Sequence, residues 1–399
     1  MAAIAPAVDE RLEAYADLAV RVGANVQEGQ TVFLTTQVEH APLARALTRA
    51  AYRAGARYVD VRYRDDHVRH AMIELGPDEA LTHAPEWMQQ LYRAMEGGAQ
   101  LWTTGDPEPE LMNDLDGERV GRARMKEIVA IIREQMIQRS LNWSGVAYPS
   151  EGWAQQIYGE PDIERLWEAV AFCTRLDEAD PVQAWRDHMA QLESRAKKLN
   201  ELQLDAVHYT GPGTDLTVGL LPTSRFTGGG SANIDGVHSI SNLPTEEVFT
   251  APDPQRADGV VSATKPLDLT GTNVRGLRVR FESGRVVEIE AESGADALRA
   301  RCAKDEGASR LGELALVDRE GRIGKSGVTY FNTLLDENAA SHLALGGAYA
   351  TSVAPEERDR INTSRIHIDF MIGSDDVAVT GLNADGTEVP VLRGGSWQI

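Results

Sequence analysis

Hydrophobic positions in the first half of the chain switch repeatedly between helical spacing and strand spacing. The predicted elements are, in chain order, a helix over 8–24, a strand over 31–36, a helix over 42–54, strands over 57–63 and 100–103, and a helix over 121–138. A strand, a helix and a second strand in succession are typical of parallel strands joined by a crossover helix. The pattern therefore predicts an α/β domain with an open, mainly parallel sheet.

The spacing changes in the second half of the chain. Helical spacing persists through 161–200, where the Asp180-Pro181 step predicts a break between two helices. Beyond it, short strands are predicted at 206–209, 216–220, 260–263, 274–281 and 285–291. Glu282-Ser283-Gly284, between the last two strands, indicates a hairpin turn. We therefore predict two domains, an α/β domain over 1–200 and a mixed α+β domain over 201–399 that carries the metal site proposed below.

Charge and composition exclude several kinds of partner. The 399-residue chain has a net charge of -21 at pH 7, whereas nucleic acids and anionic membranes bind basic surfaces. The chain has no apolar run near the roughly 20 residues of a membrane span, and its N-terminus lacks the basic start of a signal peptide. We therefore expect neither nucleic acid nor membrane as a partner, and a cytoplasmic location. Cys173 and Cys302 are far apart and are expected to be buried free thiols.

Well-known catalytic and nucleotide-binding motifs are absent. The sequence has no GxGxxG or GxxxxGK[ST] after a predicted strand, and no HExxH or GxSxG. The α/β pattern therefore does not by itself imply nucleotide binding, and the chemistry has to be found in less familiar segments.

Residues 365–371, RIHIDFM, alternate between apolar and polar side chains as a strand does. The apolar residues point to one face, and His367 and Asp369 point to the other. An imidazole and a carboxylate fixed on one face of a strand are suited to bind a metal ion, but they are also suited to form a buried ion pair. The strand alone leaves both interpretations open.

Acidic residues also occur in other apolar segments of this half. Glu313 lies at the start of a predicted strand, RLGELALV, and the adjacent Glu246 and Glu247 precede Val248 and Phe249. Acids in such segments are less typical of a solvated surface, so we expect Glu313 and one of the adjacent pair to face inward.

His342 lies in a segment that we predict to be helical. The helix would begin with Asp336 as its N-cap and would place Tyr349, seven residues after His342, near the same face. Glu337 would lie in the first turn, where it either reaches a shared site or stabilises the helix N-terminus.

Four segments resemble, in order, the M29 metallopeptidases, the thermophilic aminopeptidase family. They are NLPTEEVFTAP, RLGELALV, YFNTLLDENAASHLALGGAY and RIHIDFMIGS. The similarity continues through YTGPGTDLTVGL and the terminal Gly-Gly-Ser-Trp, and it covers essentially the whole chain. Several ordered motifs specify a family far better than one short pattern does.

The resemblance implies a metal-dependent aminopeptidase that uses activated water to release amino acids from peptides with a free N-terminus. The family's metal-binding positions correspond to Glu247, Glu313, His342, His367 and Asp369. Glu337 matches a further acidic position and is expected to bind metal as well, and Tyr349 matches the active-site tyrosine. It also implies a homodimer and two divalent metal ions per subunit, for which Zn²⁺, Co²⁺ and Mn²⁺ all suit the ligands. Either Glu246 or Glu337 would transfer the proton, and Tyr349 would stabilise the oxyanion.

Other interpretations stay open at this point. The same dinuclear chemistry would serve a hydrolase acting on a non-peptide amide or ester, and a binding or scaffold protein would retain only a relic of the site. Gly228-Gly229-Gly230-Ser231 would form either a tight turn, which we expect, or an N–H nest for an anion.

Overall fold

The computed structural model describes residues 9–269 and 273–399, in which the chain divides into two compact units. One unit contains the described residues up to Arg186 together with Gly230–Pro244. The other contains Asp187–Gly229 together with Thr245–Ile399. The predicted domain boundary at residue 200 stays a prediction.

Helices and strands alternate in the part of the chain before residue 202. They are α1 (Glu10–Leu18), β1 (Thr31–Gln37), α2 (Ala41–Arg53), β2 (Tyr58–Arg64), α3 (Asp66–Leu75), α4 (Glu86–Arg93), β3 (Ala99–Thr104), α5 (Gly117–Arg122), α6 (Lys126–Gln138), β4 (Asn142–Ala147), α7 (Glu151–Tyr158), α8 (Ile163–Cys173) and α9 (Pro181–Glu201). A π-helical turn, Ala19–Gly23, extends α1. The start of the predicted helix at residue 8, and the first residues used to argue against a signal peptide, lie outside the described residues.

Strands dominate the rest of the chain. The elements are β5 (Ala206–Gly211), β6 (Thr214–Leu220), β7 (Thr227–Gly228), β8 (Ser231–Ala232), β9 (His238–Ser239), β10 (Asn242–Leu243), β11 (Glu247–Thr250), β12 (Pro252–Ser262), β13 (Leu267–Asp268), β14 (Asn273–Val274), β15 (Arg278–Glu282), β16 (Arg285–Glu290), α10 (Ala295–Cys302), β17 (Leu311–Val317), α11 (Arg322–Ser326), α12 (Thr333–Asp336), β18 (His342–Gly346), β19 (His367–Met371), β20 (Ala378–Leu382), β21 (Glu388–Arg393) and β22 (Ser396–Trp397). Within the described ranges, no helix is both long and apolar enough to cross a membrane.

The first unit is built on a parallel sheet with the strand order β10-β4-β3-β1-β2. Val32 and Leu34 of β1 are buried, as are Leu43 and Leu47 of α2, which connects β1 to β2. Fully burying a leucine side chain stabilises a fold by about 1.5–3 kcal/mol, so this apolar spacing sets the packing of the unit. The predicted parallel α/β architecture is confirmed.

The described residues of the second unit form two large antiparallel sheets, with the orders β19-β18-β17-β11-β7 and β16-β15-β12-β6-β5-β20-β21-β22, and a two-stranded one, β13-β14. Alternate residues of β17, β18 and β19, such as Leu314, Leu343 and Phe370, share one buried cluster with Val207 and Val218 of the larger sheet. Because side chains alternate along a strand, the residues between them point to the opposite face of the smaller sheet. That face carries the chemistry.

Local structure corrects some predicted boundaries. The helix predicted over 121–138 is interrupted, because Ala123, with ψ 72°, leaves the helical region between α5 and α6. The strand predicted over 274–281 is divided at Gly276, whose φ of 60° forms a turn. The predicted hairpin is confirmed, since Ser283 and Gly284 have positive φ and Glu282 pairs with Arg285.

Candidate metal centre

Five of the predicted residues bring their donor atoms together in the second unit. Glu247, Glu313 and His342 form one group, and Glu313, His367 and Asp369 form another, with the donor atoms of each group within 4.8 Å of one another. Glu313 belongs to both groups. Its Oε1 lies 3.4 Å from Nε2 of His342, and its Oε2 lies 3.6 Å from Nε2 of His367. One carboxylate therefore presents a different oxygen to each imidazole.

The smaller sheet places these side chains. Glu247 begins β11, Glu313 lies in β17, His342 begins β18, and His367 and Asp369 lie on one face of β19. Several cross-strand neighbours on this face are small, because Glu313 and Asp369 both pair with Ala344, His342 pairs with Ala315 on one side, and His367 pairs with Gly346. Small neighbours leave space above the sheet for the carboxylates and imidazoles to converge.

The hydrogen bonds of the two histidines fix their orientation. Nδ1 of His367 lies 2.8 Å from the carbonyl oxygen of Gly347, and Nδ1 of His342 lies 3.3 Å from that of Ala340. A carbonyl oxygen accepts only, so each Nδ1 carries a proton and each Nε2 faces the carboxylates, as a proton donor when the imidazole is charged and as a metal ligand when it is neutral. Such backbone carbonyls are the usual partners of metal-ligating histidines.

The buried carboxylate oxygens converge on the imidazoles. Glu247 Oε2, Glu313 Oε2 and Asp369 Oδ1 make no well-formed hydrogen bond in the described structure, and Nε2 of His342 and Nε2 of His367 lie 3.2 Å from Glu247 Oε2 and Asp369 Oδ1. Buried polar atoms are normally satisfied, so several acceptors that converge with so few donors are suited to surround a cation. The residues present therefore fit a divalent metal ion bound by oxygen and nitrogen ligands.

Burial and neighbouring charges shift the pKa values of the acidic and histidine side chains in the metal-free site. Burial raises the pKa of the Glu313 carboxyl, and it raises that of Glu337 further, with Asp369 and Glu247 adding to the effect. Partial desolvation lowers the pKa of His367, whose side chain is 30% exposed, but Asp369, with Oδ1 3.2 Å from Nε2, prevails and raises that pKa to about 10. The pKa of Asp369 is lowered despite its burial, because His367 stabilises the carboxylate.

Metal-free protein is expected to lose stability as the pH rises. The pKa of His367 is raised from 6.5 to about 10, so the folded state holds this proton more tightly than the unfolded state. The resulting stabilisation is fully present below pH 6.5 and is lost as the pH rises through about 10. Melting temperatures of chelator-treated protein across this range should fall, and they should fall less steeply in the His367→Gln variant. Equal slopes in the two proteins would contradict this account.

The prediction that His342 lies in a helix is wrong. The residue begins strand β18, which is buried along its whole length between β17 and β19. Asp336 is the last residue of the short helix α12 rather than an N-cap, and Glu337 begins a 3₁₀ turn, Glu337–Ala339. Glu337 is buried and lies close enough to Asp369 and Glu247 for their charges to raise its pKa.

Tyr349 reaches the same site from a loop. It directly precedes the 3₁₀ turn Ala350–Ser352, and its ring packs 5.6 Å from His367 and 5.7 Å from Phe249, measured between ring centroids. Partial desolvation and the charges of Glu313 and Asp369 raise the pKa of its hydroxyl above the ordinary value, although 43% of the residue is exposed. Tyr349 therefore stays protonated near neutral pH and is able to donate a hydrogen bond.

Glu246 does not join the group. It points away from Glu247, as expected for the preceding residue in an extended chain, and its Oε2 lies 3.3 Å from Nε2 of His188. Nε2 of His188 also lies 2.9 Å from the carbonyl oxygen of Thr245. Sequence reasoning missed His188 because its immediate neighbours are charged. Its spacing from Leu192 on α9 is that of a buried helix face, and this was the signal available.

Comparison with known proteins shows to which family of proteins this chain belongs. The chain matches the family described as thermophilic metalloprotease (M29) over residues 8–397, and it belongs to this family. It is 42% identical to Aminopeptidase T of Thermus aquaticus, over 98% of this chain and 100% of that protein, and 38% identical to Aminopeptidase AmpS of Bacillus subtilis, over 97% and 98%. The solved structure of wild-type AmpT from Thermus thermophilus superposes with a TM-score of 0.91 at 40% identity, over 98% of this chain and 100% of that one. The protein is a metallo-aminopeptidase, a hydrolase.

Proposed function

We propose that this protein removes N-terminal amino acids from peptides, using two divalent metal ions held by the second unit. The observation that carries the proposal is the position of Glu313, which presents one carboxylate oxygen to His342 and the other to His367. A carboxylate that faces both ligand groups would be shared by two neighbouring ions, whereas a single ion would leave one of the two groups without a cation.

The ligands divide into two sets. One ion would be held by Glu247, Glu313 and His342, and the other by Glu313, His367 and Asp369. Zn²⁺, Co²⁺ and Mn²⁺ all accept this mixture of carboxylate and imidazole ligands. When bound, two such ions supply an acidified water as nucleophile and polarise the scissile carbonyl group.

Glu337 is the candidate for proton transfer. Its buried carboxyl lies close to the ligands but belongs to neither ligand group, so it is placed to take a proton from the attacking water and to give it to the leaving amine. The C–N bond of the peptide then breaks, and the released amine carries the transferred proton. Glu246, the alternative predicted from sequence, faces His188 instead.

Tyr349 is the candidate for stabilising the transition state. Its hydroxyl stays protonated because its pKa is raised, so it donates a hydrogen bond to the oxygen of the tetrahedral carbon as negative charge develops there. The contact between its ring and His367 keeps it beside the ligands.

Peptides with a free N-terminus are the proposed substrates, and both relatives reported above carry aminopeptidase names. A homodimer and a cytoplasmic location, both expected from the sequence, stay predictions.

Metal removal should abolish the proposed activity. Purified protein should release leucine from leucyl-p-nitroanilide, lose this activity after exhaustive chelation, and regain it when Zn²⁺, Co²⁺ or Mn²⁺ is restored. N-acetyl-leucyl-p-nitroanilide should not be cleaved, because an aminopeptidase requires the free amine. Full activity without metal would overturn the metal mechanism, and comparable cleavage of the blocked substrate would favour a general amide hydrolase.

A further inference from the structure

Asn338 connects the two segments that carry Glu247 and Glu337. Its side chain is fully buried, and its Oδ1 accepts hydrogen bonds from the backbone N–H of Glu246 at 2.8 Å and from the hydroxyl of Thr245 at 3.3 Å. The Nδ2 group donates to the carbonyl oxygen of Leu334 at 3.1 Å, and it lies 3.5 Å from Oε1 of Glu337. One amide therefore joins the start of β11 to the turn that follows α12.

We propose that Asn338 is a positioning residue that holds the Glu337 carboxylate in place for proton transfer. The inference rests on the proposed function, because it concerns the same site. Asn338 is not within the two ligand groups, so it would act on Glu337 and on the peptide backbone beside Glu247, without touching metal or substrate.

The position of Asn338 suits this role. Glu337 begins a 3₁₀ turn of three residues, Glu337–Ala339, and Asn338 is the next residue of that turn. The Nδ2 group of Asn338 lies 3.5 Å from Oε1 of Glu337, and a donor at this place favours one orientation of the carboxylate.

A second contact holds the other side of the same turn. Asp336 accepts hydrogen bonds from the backbone N–H groups of Tyr330 at 2.8 Å and Asn332 at 3.0 Å, and so closes the loop that leads into α12. Asp336 makes these bonds to its own loop, whereas Asn338 reaches across to β11. Asn338 therefore links the position of Glu337 to the segment that carries Glu247.

Two substitutions test this role. Asn338→Leu keeps the approximate volume and removes all of the side-chain hydrogen bonds. Asn338→Asp keeps an oxygen acceptor for the N–H of Glu246 and replaces the amide donor that faces Glu337. The matched control is Asn142 of the first unit, which is also fully buried and donates from Nδ2 to the carbonyl oxygen of Ala24.

We expect both Asn338 variants to bind the wild-type amount of metal and to keep KM within about threefold, while kcat on leucyl-p-nitroanilide falls at least about tenfold. The variants Asn142→Leu and Asn142→Asp should lower the melting temperature but leave kcat near wild type below the melting transition. If Asn338 had only a structural role, its variants would also have a lower melting temperature and a kcat near wild type.

The outcomes separate this inference from the proposed function. An inactive, metal-loaded wild-type protein would overturn the proposed function before any variant is made. With an active wild type, a folded and metal-loaded Asn338→Asp protein whose kcat stays within about twofold would overturn the positioning role. Loss of metal together with kcat would also overturn it, because the effect would then act on the ligands. If Asn338→Leu does not fold, kcat and metal content of Asn338→Asp alone decide whether Asn338 positions Glu337.

Discussion

Replacing Glu313 with glutamine should remove both metal ions and lower kcat/KM by roughly three orders of magnitude or more. The neutral amide would be a much weaker ligand than the carboxylate that both groups share. Without the ions, several kcal/mol of transition-state stabilisation would be lost, at about 1.4 kcal/mol for each factor of ten. Metal content measured on the purified variant, together with leucyl-p-nitroanilide turnover, checks this expectation.

Stability should respond in opposite directions with and without metal. In the metal-free protein, burial and the neighbouring acids raise the pKa of Glu313, so its carboxylate form destabilises the fold at neutral pH. The neutral glutamine relieves this cost, and chelator-treated Glu313→Gln should melt at the same or a higher temperature than chelator-treated wild type. With metal supplied, wild type should melt higher, because only it gains the binding free energy of both ions.

Glu357 provides the matched control. It is also buried, but hydrogen bonds from Thr223 and the charge of Arg360 lower its pKa, so its carboxylate stabilises the fold at neutral pH. Glu357→Gln should therefore lower the melting temperature with or without metal and leave metal content unchanged. If Glu313→Gln kept the wild-type metal content, the proposal that two metal ions share Glu313 as a ligand would be contradicted.

Most of the fold of the first unit could be predicted from the sequence. Its strands alternate with helices whose apolar faces follow the helical period, as in α2, and these local signals match the parallel sheet that forms. The small shifts at element ends, such as the break at Ala123, depend on single backbone dihedrals that no periodic pattern records.

Strand β18, which was predicted as a helix, shows why parts of the second unit could not be predicted from the sequence. All five of its residues are buried, because β17 and β19 cover both edges and packed residues cover both faces. A strand buried on both faces has no alternation of polar and apolar residues, and its alanine and leucine residues favour a helix when read alone. Tertiary pairing overrode the local preference.

Resemblance to a family indicated the group of Glu247, Glu313, His342, His367 and Asp369, and the structure brings these residues together. Alternation along one strand correctly placed His367 and Asp369 on a common face, but it could not choose between Glu246 and Glu247. Which of the two glutamates faces the site depends on where β11 begins and on the contact between Glu246 and His188. That contact joins residues far apart in the sequence, so no local pattern predicts it. Asn338 was not recognisable either, because its role lies in hydrogen bonds to a segment about ninety residues away.

Replacing Glu337 with glutamine should lower kcat by about 10²–10⁴ while the protein keeps its metal ions. The amide has nearly the same shape as the carboxyl group, but it cannot accept the proton of the attacking water. KM for leucyl-p-nitroanilide should change little, because proton transfer contributes to the transition state and not to substrate binding. Steady-state kinetics and metal analysis of the same preparation separate the two quantities.

Glu246→Gln is the control that distinguishes the two candidate bases. Both glutamates are buried and adjoin the site, but Glu246 faces His188, so its substitution should leave kcat within about threefold of wild type. Loss of kcat in Glu246→Gln with normal activity in Glu337→Gln would reverse the assignment. Loss of metal from Glu337→Gln would instead make Glu337 a ligand, because a proton-transfer residue that touches no ion can be neutralised without releasing one.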